Sequence, residues 1–199
     1  MQIEERGSRL HINILPGEYF ASNRPVTIRT LLGSCVAACL YDPANRVIGM
    51  NHFLLSNRRY ARDLPTCMSE AGRYGIHAME LLINDMLRHG AKWENLRAKA
   101  FGGGSMYLSA GARDNFFCVG EVNTRFIREF LKNEGIPLVA EDLGGENARV
   151  IQFLFEDYSV HVKKTGTTAS STLLQKEHQY WLRSIEAQEK AKAQAEVWG

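Results

Sequence analysis

The sequence predicts an α+β fold. Strand-like segments are many, helical segments are few and segregated along the chain, and no β-α-β unit opens on a G-x-G-x-x-G loop. "HINILPGEYF" alternates Ile12 and Ile14 with His11 and Asn13, then breaks at Pro16-Gly17, which reads as a strand and a turn. "VTIRTLLGSCVAACLYD" is strand-like on both sides of Gly33-Ser34 and ends in a turn at Asp42-Pro43-Ala44-Asn45. "RVIGMNHFLL" supplies the return strand, so the two segments form a hairpin. From Glu70 to Arg88 the apolar residues Ile76, Met79, Leu82, Ile83, Met86 and Leu87 recur every three or four positions, the period of an amphipathic helix. Ser69 offers its N-cap, and Gly90 stands where the chain must turn out of it. "LRAKAFGGGSM" reads as a strand running into three glycines. "NFFCVGEVNTRFIREFLKNEGIP" reads as a strand, then a helix capped near Asn123 and stopped by Gly135 and Pro137. "LVAEDLGGENARVIQFLFEDYSVHVKK" holds two or three short strands around the turn Gly144-Gly145.

The tail differs in composition. "TGTTASST" is small and polar, a linker or a helix start, and the following "LLQKEHQYWLRSIEAQEKAKAQAEVW" contains neither Gly nor Pro. Leu173, Leu174, Tyr180, Trp181 and Ile185 make its first half amphipathic, so a C-terminal helix docked at its start and frayed at its end is expected. The division is therefore a domain over residues 1–164 and a linker plus helix over 165–199. Trp93 and Trp181 are expected as packing anchors, and Cys67 and Cys118 as structural thiols.

Bulk properties exclude several classes. The 199 residues carry 45% hydrophobic and 23% charged side chains, enough to bury a core and too apolar for disorder. A net charge of +2, from 24 basic and 22 acidic residues with no basic run, argues against nucleic acid. No apolar window approaches the roughly 18–20 residues of a membrane span. The N-terminal stretch mixes acids and bases without an apolar run, so no secretory signal and a soluble cytoplasmic protein are expected. Cys35, Cys39, Cys67 and Cys118 show no C-x-x-C spacing, and the six histidines pair with nothing at metal-ligand spacing. No metal, no cofactor and no disulfide are expected.

The chemistry centres on "LLGSCVAACLY" and "NHFLL". A cysteine nucleophile needs a base to form its thiolate and nearby donors for the oxyanion that attack creates. Gly33-Ser34-Cys35 gives a side-chain-poor approach to backbone N–H groups, and the hairpin can bring His52 beside the sulfur. Thr30 stands five residues before Cys35 and can orient the imidazole. Cys35, at the start of the apolar run, is expected to be open, and Cys39 packed. The alternative is that Cys35 is one more buried thiol, a common fate of free cysteine. Gly102-Gly103-Gly104 lacks the Lys-Ser/Thr of a P-loop. A close backbone approach is its first reading, and a cradle for substrate beside Phe101, Gly102 and Gly103 the second.

Five blocks, "TLLGSCVAACLYDP", "GMNHFLL", "AKAFGGGSM", "VGEVN" and "IPLVAEDLGGENAR", occur in this order, within a similarity that spans about residues 10–163. Together they resemble the bacterial chemotaxis receptor-glutamine deamidases, the CheD family. The resemblance implies Cys35 as nucleophile, His52 as base, and a threonine just upstream as third member. Some members place that threonine one position further away, where this chain has Arg29, so Thr30 is the match carried over. It also implies a β-sandwich flanked by helices, resembling the catalytic domain of the cytotoxic necrotizing factor toxins. The implied reaction is hydrolysis of glutamine side chains in a protein, with Gly33, Ser34, Phe101, Gly102 and Gly103 near the substrate. The implied partners are cytoplasmic helices of chemoreceptors and a CheC-type phosphatase. Two other classes stay open: a non-catalytic chemotaxis adaptor, and a thiol sensor using Cys35 and Cys39. Arg58, Arg59 and Arg62 form a basic cluster able to meet an acidic receptor helix. The tail pair Gln188-Glu189 looks like a receptor modification site and suggests a pseudosubstrate.

Overall fold

The computed structural model describes residues 1–6, 9–55, 70–105, 119–165, 173 and 175–187. Cys67, Cys118, Met106, Ser69, the Arg58–Arg62 cluster and Gln188-Glu189 lie outside them. Among the described residues ten strands build two five-stranded sheets, both mixed. The first contains β1 (Gln2–Arg6), β2 (Arg9–Asn13), β4 (Val26–Leu32), β9 (Arg149–Leu154) and β10 (Val160–Lys164), in that order, with β2 and β4 the parallel pair. The second orders β3 (Tyr19–Ser22), β6 (Val47–Asn51), β5 (Val36–Asp42), β7 (Arg97–Gly102) and β8 (Leu138–Leu143), with β7 and β8 parallel. Helices α1 (Glu70–Arg88) and α2 (Val119–Asn133) complete the main body, and residues 175–187 form a third helix, α3.

Strand β5 shows how the layers are made. Its side chains alternate between two cores, as strand pleating requires. Ala37 and Cys39 face Ile12, Ile28, Ile151 and Phe153 of the first sheet, whereas Val36, Ala38 and Leu40 face Met79, Leu82, Phe126 and Phe130 of the helices. A strand covered on both faces reads as an unbroken apolar run, which "VAACL" is. The chain is thus a β-sandwich with α1 and α2 over the outer face of the second sheet, the α+β class the sequence predicts. Gly49 lies where α1 crosses; a Cβ there would stand 2.8 Å from Leu82 and 2.9 Å from Met86.

Most elements fall where the sequence puts them, including α1 and the β5–β6 hairpin. Three expectations change. Helix α2 starts at Val119, so Asn123 is inside it and fully buried instead of capping it. Trp93 sits on a short 3-10 turn and is 42% exposed, while Trp181 is buried. Strands β1 and β3 had no counterpart in the sequence reading.

Gly33-Ser34 is the crossing point between sheets. β4 ends at Leu32 in the first sheet and β5 begins at Val36 in the second, so the Gly33-Ser34-Cys35 segment bridges the sandwich at one end of its two central strands. Helix α3 lies against this crossing. Its residues Glu177, Trp181 and Ile185, with Leu173 before them, are four apart and all buried, Trp181 and Ile185 within the inter-sheet core.

Candidate active site

Peptide geometry fixes where the bridging segment points its donors. The N–H of a trans peptide lies opposite the preceding C=O. The carbonyl of Gly33 accepts Gly104 N–H at 2.7 Å, that of Ser34 accepts Asn123 Nδ2 at 2.8 Å, and that of Cys35 accepts Gly103 N–H at 2.7 Å. With Gly33 O and Ser34 O held on the α2 side, the N–H groups of Ser34 and Cys35 are turned the other way, and that of Ser34 reaches α3. Gly33 N–H donates to Glu177 Oε1 at 2.9 Å, and Ser34 N–H and Ser34 Oγ donate to Glu177 Oε2 at 2.8 and 2.6 Å. The crossing is therefore a small nest of donors with a carboxylate seated in it.

The glycine run supports the nest from behind. Gly102 has φ +110°, and a Cβ there would lie 2.1 Å from the Cys35 carbonyl oxygen. Gly103 packs against Thr124 and the Gly120 carbonyl at the start of α2. Only glycine allows backbone to lie on backbone this closely. Asn123 joins the same support, since its Oδ1 accepts Leu55 N–H at 2.8 Å while its amide holds Ser34. Arg149, buried, bonds the Asp142 carboxylate at 2.9 Å and the carbonyls of Asp142 and Gly144, fixing a turn whose Gly145 carbonyl accepts Ser105 N–H.

His52 follows β6 and is placed by its neighbours on both sides. Its N–H donates to the Glu18 carbonyl, and its own carbonyl accepts Gly17 N–H. Asn51 before it accepts Ala38 N–H and donates to the Ala78 carbonyl of α1. The His52 ring meets Thr30 Oγ1 through Nδ1 at 2.8 Å, and the same hydroxyl donates to the Ile14 carbonyl at 2.8 Å. A hydroxyl has one proton. With that proton given to Ile14, Oγ1 accepts from His52, so Nδ1 carries the hydrogen and Nε2 keeps a lone pair. Nε2 is buried and has no hydrogen-bond partner. Arg29, the other position considered for the third member, is exposed on the opposite face of β4.

Cys35 Sγ, an imidazole nitrogen of His52 and a carboxylate oxygen of Glu177 lie within 4.8 Å of one another. Cys35 is fully buried, against the expectation of an open thiol, because α3 covers the crossing. Burial pushes its pKa well above the ordinary thiol range, and the Glu177 charge and hydrogen bond push the same way. Burial lowers His52 to about 3. Thiol and imidazole therefore both rest neutral. Cysteine, histidine and glutamate are also metal-ligand types, and this trio is the one such cluster among the described residues. The Glu177 oxygens already accept three hydrogen bonds there, so the carboxylate is satisfied without an ion.

The structure thus brings Cys35, His52, Thr30, Gly33 and Ser34 together. Gly102 and Gly103 lie behind Cys35, and Phe101 is buried in the inter-sheet core, which is the backbone-support reading of the glycine run. Asn123 and Glu177 were missed as site residues. Each left a signal, a polar residue standing in an otherwise apolar helical stripe: Val119–Asn123–Phe126–Ile127 in α2, and Leu173–Glu177–Trp181–Ile185 in the tail.

Comparison with known proteins adds to the geometry. The family described as "CheD chemotactic sensory transduction" matches residues 58–164. A Geobacter sulfurreducens protein named "Probable chemoreceptor glutamine deamidase CheD 1" is 53% identical over 187 residues, covering 94% of this chain and 93% of its own. Proteins with the corresponding name from Shewanella oneidensis and Herminiimonas arsenicoxydans are 44% and 45% identical, over 88% and 84% of this chain and 82% and 79% of their own.

Proposed function

The chain belongs to the CheD family, and on that premise we propose that it is a protein-glutamine deamidase acting on cytoplasmic helices of chemoreceptors through Cys35, His52 and Thr30. The observation that carries this reading is the Ile14–Thr30–His52 relay, which leaves a buried lone pair on Nε2 of an imidazole that lies in one cluster with the Cys35 sulfur. Residues 1–164 are the catalytic unit and 165–199 an appendage whose helix covers the site. Among the described residues no helix is long and apolar enough to cross a membrane.

Hydrolysis follows from the parts. His52 Nε2 takes the Cys35 proton as the sulfur adds to the glutamine carboxamide carbon, and the carbonyl oxygen becomes an oxyanion facing the N–H groups of Gly33 and Ser34. The imidazolium returns its proton to the amine as the C–N bond breaks, and ammonia departs from a γ-glutamyl thioester. His52 then deprotonates water, which displaces the sulfur and leaves glutamate. The net change is amide plus water to carboxylate plus ammonium. Thr30 acts through His52: it holds the tautomer that makes Nε2 the base and stabilises the Nδ1–H while the ring is charged.

The test combines a receptor cytoplasmic fragment with the wild-type protein and with Cys35→Ala. Wild type adds about one dalton at defined glutamines and releases ammonia, and Cys35→Ala does neither. Equal conversion by both proteins would refute the thiol mechanism. Binding to the fragment without any mass change in either would refute the deamidase reading.

A further inference from the structure

The position of Glu177 says more than that the site is covered. Glutamate is the product of glutamine hydrolysis and has the same side-chain length, and Glu177 places both carboxylate oxygens on the Gly33 and Ser34 donors with one of them within 4.8 Å of the Cys35 sulfur. It reaches them from a helix. Leu173, Trp181 and Ile185, at four residues before and four and eight after, are the other buried side chains on that stripe, while Gln175, Lys176, Gln179, Leu182 and Arg183 are exposed. Beside them a cavity of about 390 Å³, lined by Phe53, Leu54, Leu55, Tyr74, Tyr180 and Ser184, leaves room that α3 does not fill. Tyr180 closes the edge of the groove, its hydroxyl so near Gly17 that a Cβ there would lie 2.5 Å away.

We infer that α3 sits where the substrate helix binds, with Glu177 in the place of the glutamine to be hydrolysed. This rests on the deamidase reading and adds the substrate rule: a glutamine on a helix whose same face carries apolar side chains four residues before and four and eight residues after. The tail is an intramolecular product mimic that a substrate helix must displace. Charge makes the mimic inhibitory as well as obstructive, since a carboxylate beside Cys35 disfavours the thiolate. The site mimic is Glu177, eleven positions before the pair Gln188-Glu189 that composition suggested.

The test uses the full chain. In Glu177→Gln the tail itself becomes a substrate: Cys35 adds to the carboxamide now carried at position 177, ammonia leaves, and water hydrolyses the thioester back to glutamate. Peptide mass analysis of purified Glu177→Gln is expected to show a glutamate at position 177, and the double variant Cys35→Ala/Glu177→Gln to keep glutamine. In Glu177→Ala the KM for a helical receptor fragment is expected to fall about tenfold, because the competing helix has lost its anchor. Iodoacetamide labelling of Cys35 rises in parallel. A carboxamide that stays intact at position 177 of Glu177→Gln, together with an unmoved KM in Glu177→Ala, overturns the inference while wild-type conversion of the fragment keeps the deamidase reading. If neither wild type nor any Glu177 variant converts the fragment, the deamidase reading fails and the inference goes with it.

Discussion

Replacing Thr30 by valine isolates one oxygen atom. Valine keeps the β-branched shape and nearly the volume, so no cavity opens beneath His52. What disappears is Oγ1, which accepts from His52 Nδ1–H and donates to the Ile14 carbonyl, both at 2.8 Å and both buried. A buried polar group left unpaired costs about 1–3 kcal/mol. Without Oγ1 nothing holds the proton on Nδ1, and the imidazole can carry it on Nε2 instead. In that tautomer the nitrogen available to the Cys35 proton is no longer a base. Restoring the productive tautomer in each turnover returns the same penalty to the barrier, so kcat is expected to fall about 10- to 100-fold. The assay is initial-rate ammonia release on a receptor fragment, with kcat and KM separated. KM is expected to move little, because Thr30 is buried beneath the ring. Thr30→Ser, which retains the hydroxyl, is expected to recover most of the rate. Arg29→Ala, altering an exposed side chain on the other face of β4, is expected to leave kcat unchanged. Wild-type kcat in Thr30→Val, or equal defects in the valine and serine variants, would refute the relay. A large kcat loss in Arg29→Ala would move the third role to the neighbouring position.

Two more predictions concern stability. His52 is held neutral at about 3 against an ordinary value of 6.5, so the unfolded chain binds a proton that the folded chain refuses. The stability this carries is full above pH 6.5 and is lost as pH falls toward 3, about 2 kcal/mol between pH 6.5 and pH 5. Urea unfolding at pH 7 and pH 5 should show that loss in wild type and a correspondingly smaller one in His52→Gln; equal slopes in both would put the acid lability elsewhere. Gly102→Ala sets a Cβ against the Cys35 carbonyl at a φ of +110°, and is expected to cost about 2–4 kcal/mol by the urea midpoint and to lower kcat, whereas a neutral effect would show that the crossing yields.

What the sequence made legible follows from how strongly each pattern is constrained. Helix α1 declares itself because one face must meet the second sheet, and its apolar period survives nineteen residues. Strand β5 declares itself because both faces are covered. Cys35, His52 and Thr30 became visible when Gly-Ser-Cys and Asn-His-Phe were matched to a family; spacing alone left Cys35 as ambiguous as any buried thiol. Strands β1 and β3 escaped because they are edge strands of five and four residues, "QIEER" and "YFAS", with little or no buried face to impose alternation. Asn123 and Glu177 escaped for a different reason. A helix pattern is read for its apolar positions, and a lone polar residue among them looks like noise until the structure shows what it holds. In both cases the partner is the same few atoms of Gly33-Ser34-Cys35, reached from 89 and 143 residues away in sequence.

In the deamidase mechanism proposed above, the charge at this site gives direction to the reaction. With α3 in place, Cys35 faces a carboxylate, and burial together with that charge keeps the thiol protonated. A substrate glutamine brings a carboxamide of the same length and no charge. Exchanging one for the other removes a negative charge from beside the sulfur just when a thiolate is needed, while leaving the N–H groups of Gly33 and Ser34 an oxygen to hold. Hydrolysis then restores a carboxylate in the same nest, and the penalty on the thiolate returns with it. The finished product thus recreates the electrostatics of the covered state. Re-attack on it is disfavoured, and the donor nest holds product and Glu177 on similar terms. If α3 holds the place of the substrate helix as inferred, apolar contacts along the two helices then decide which one stays, and the substrate's i−4, i+4 and i+8 side chains govern release as well as binding.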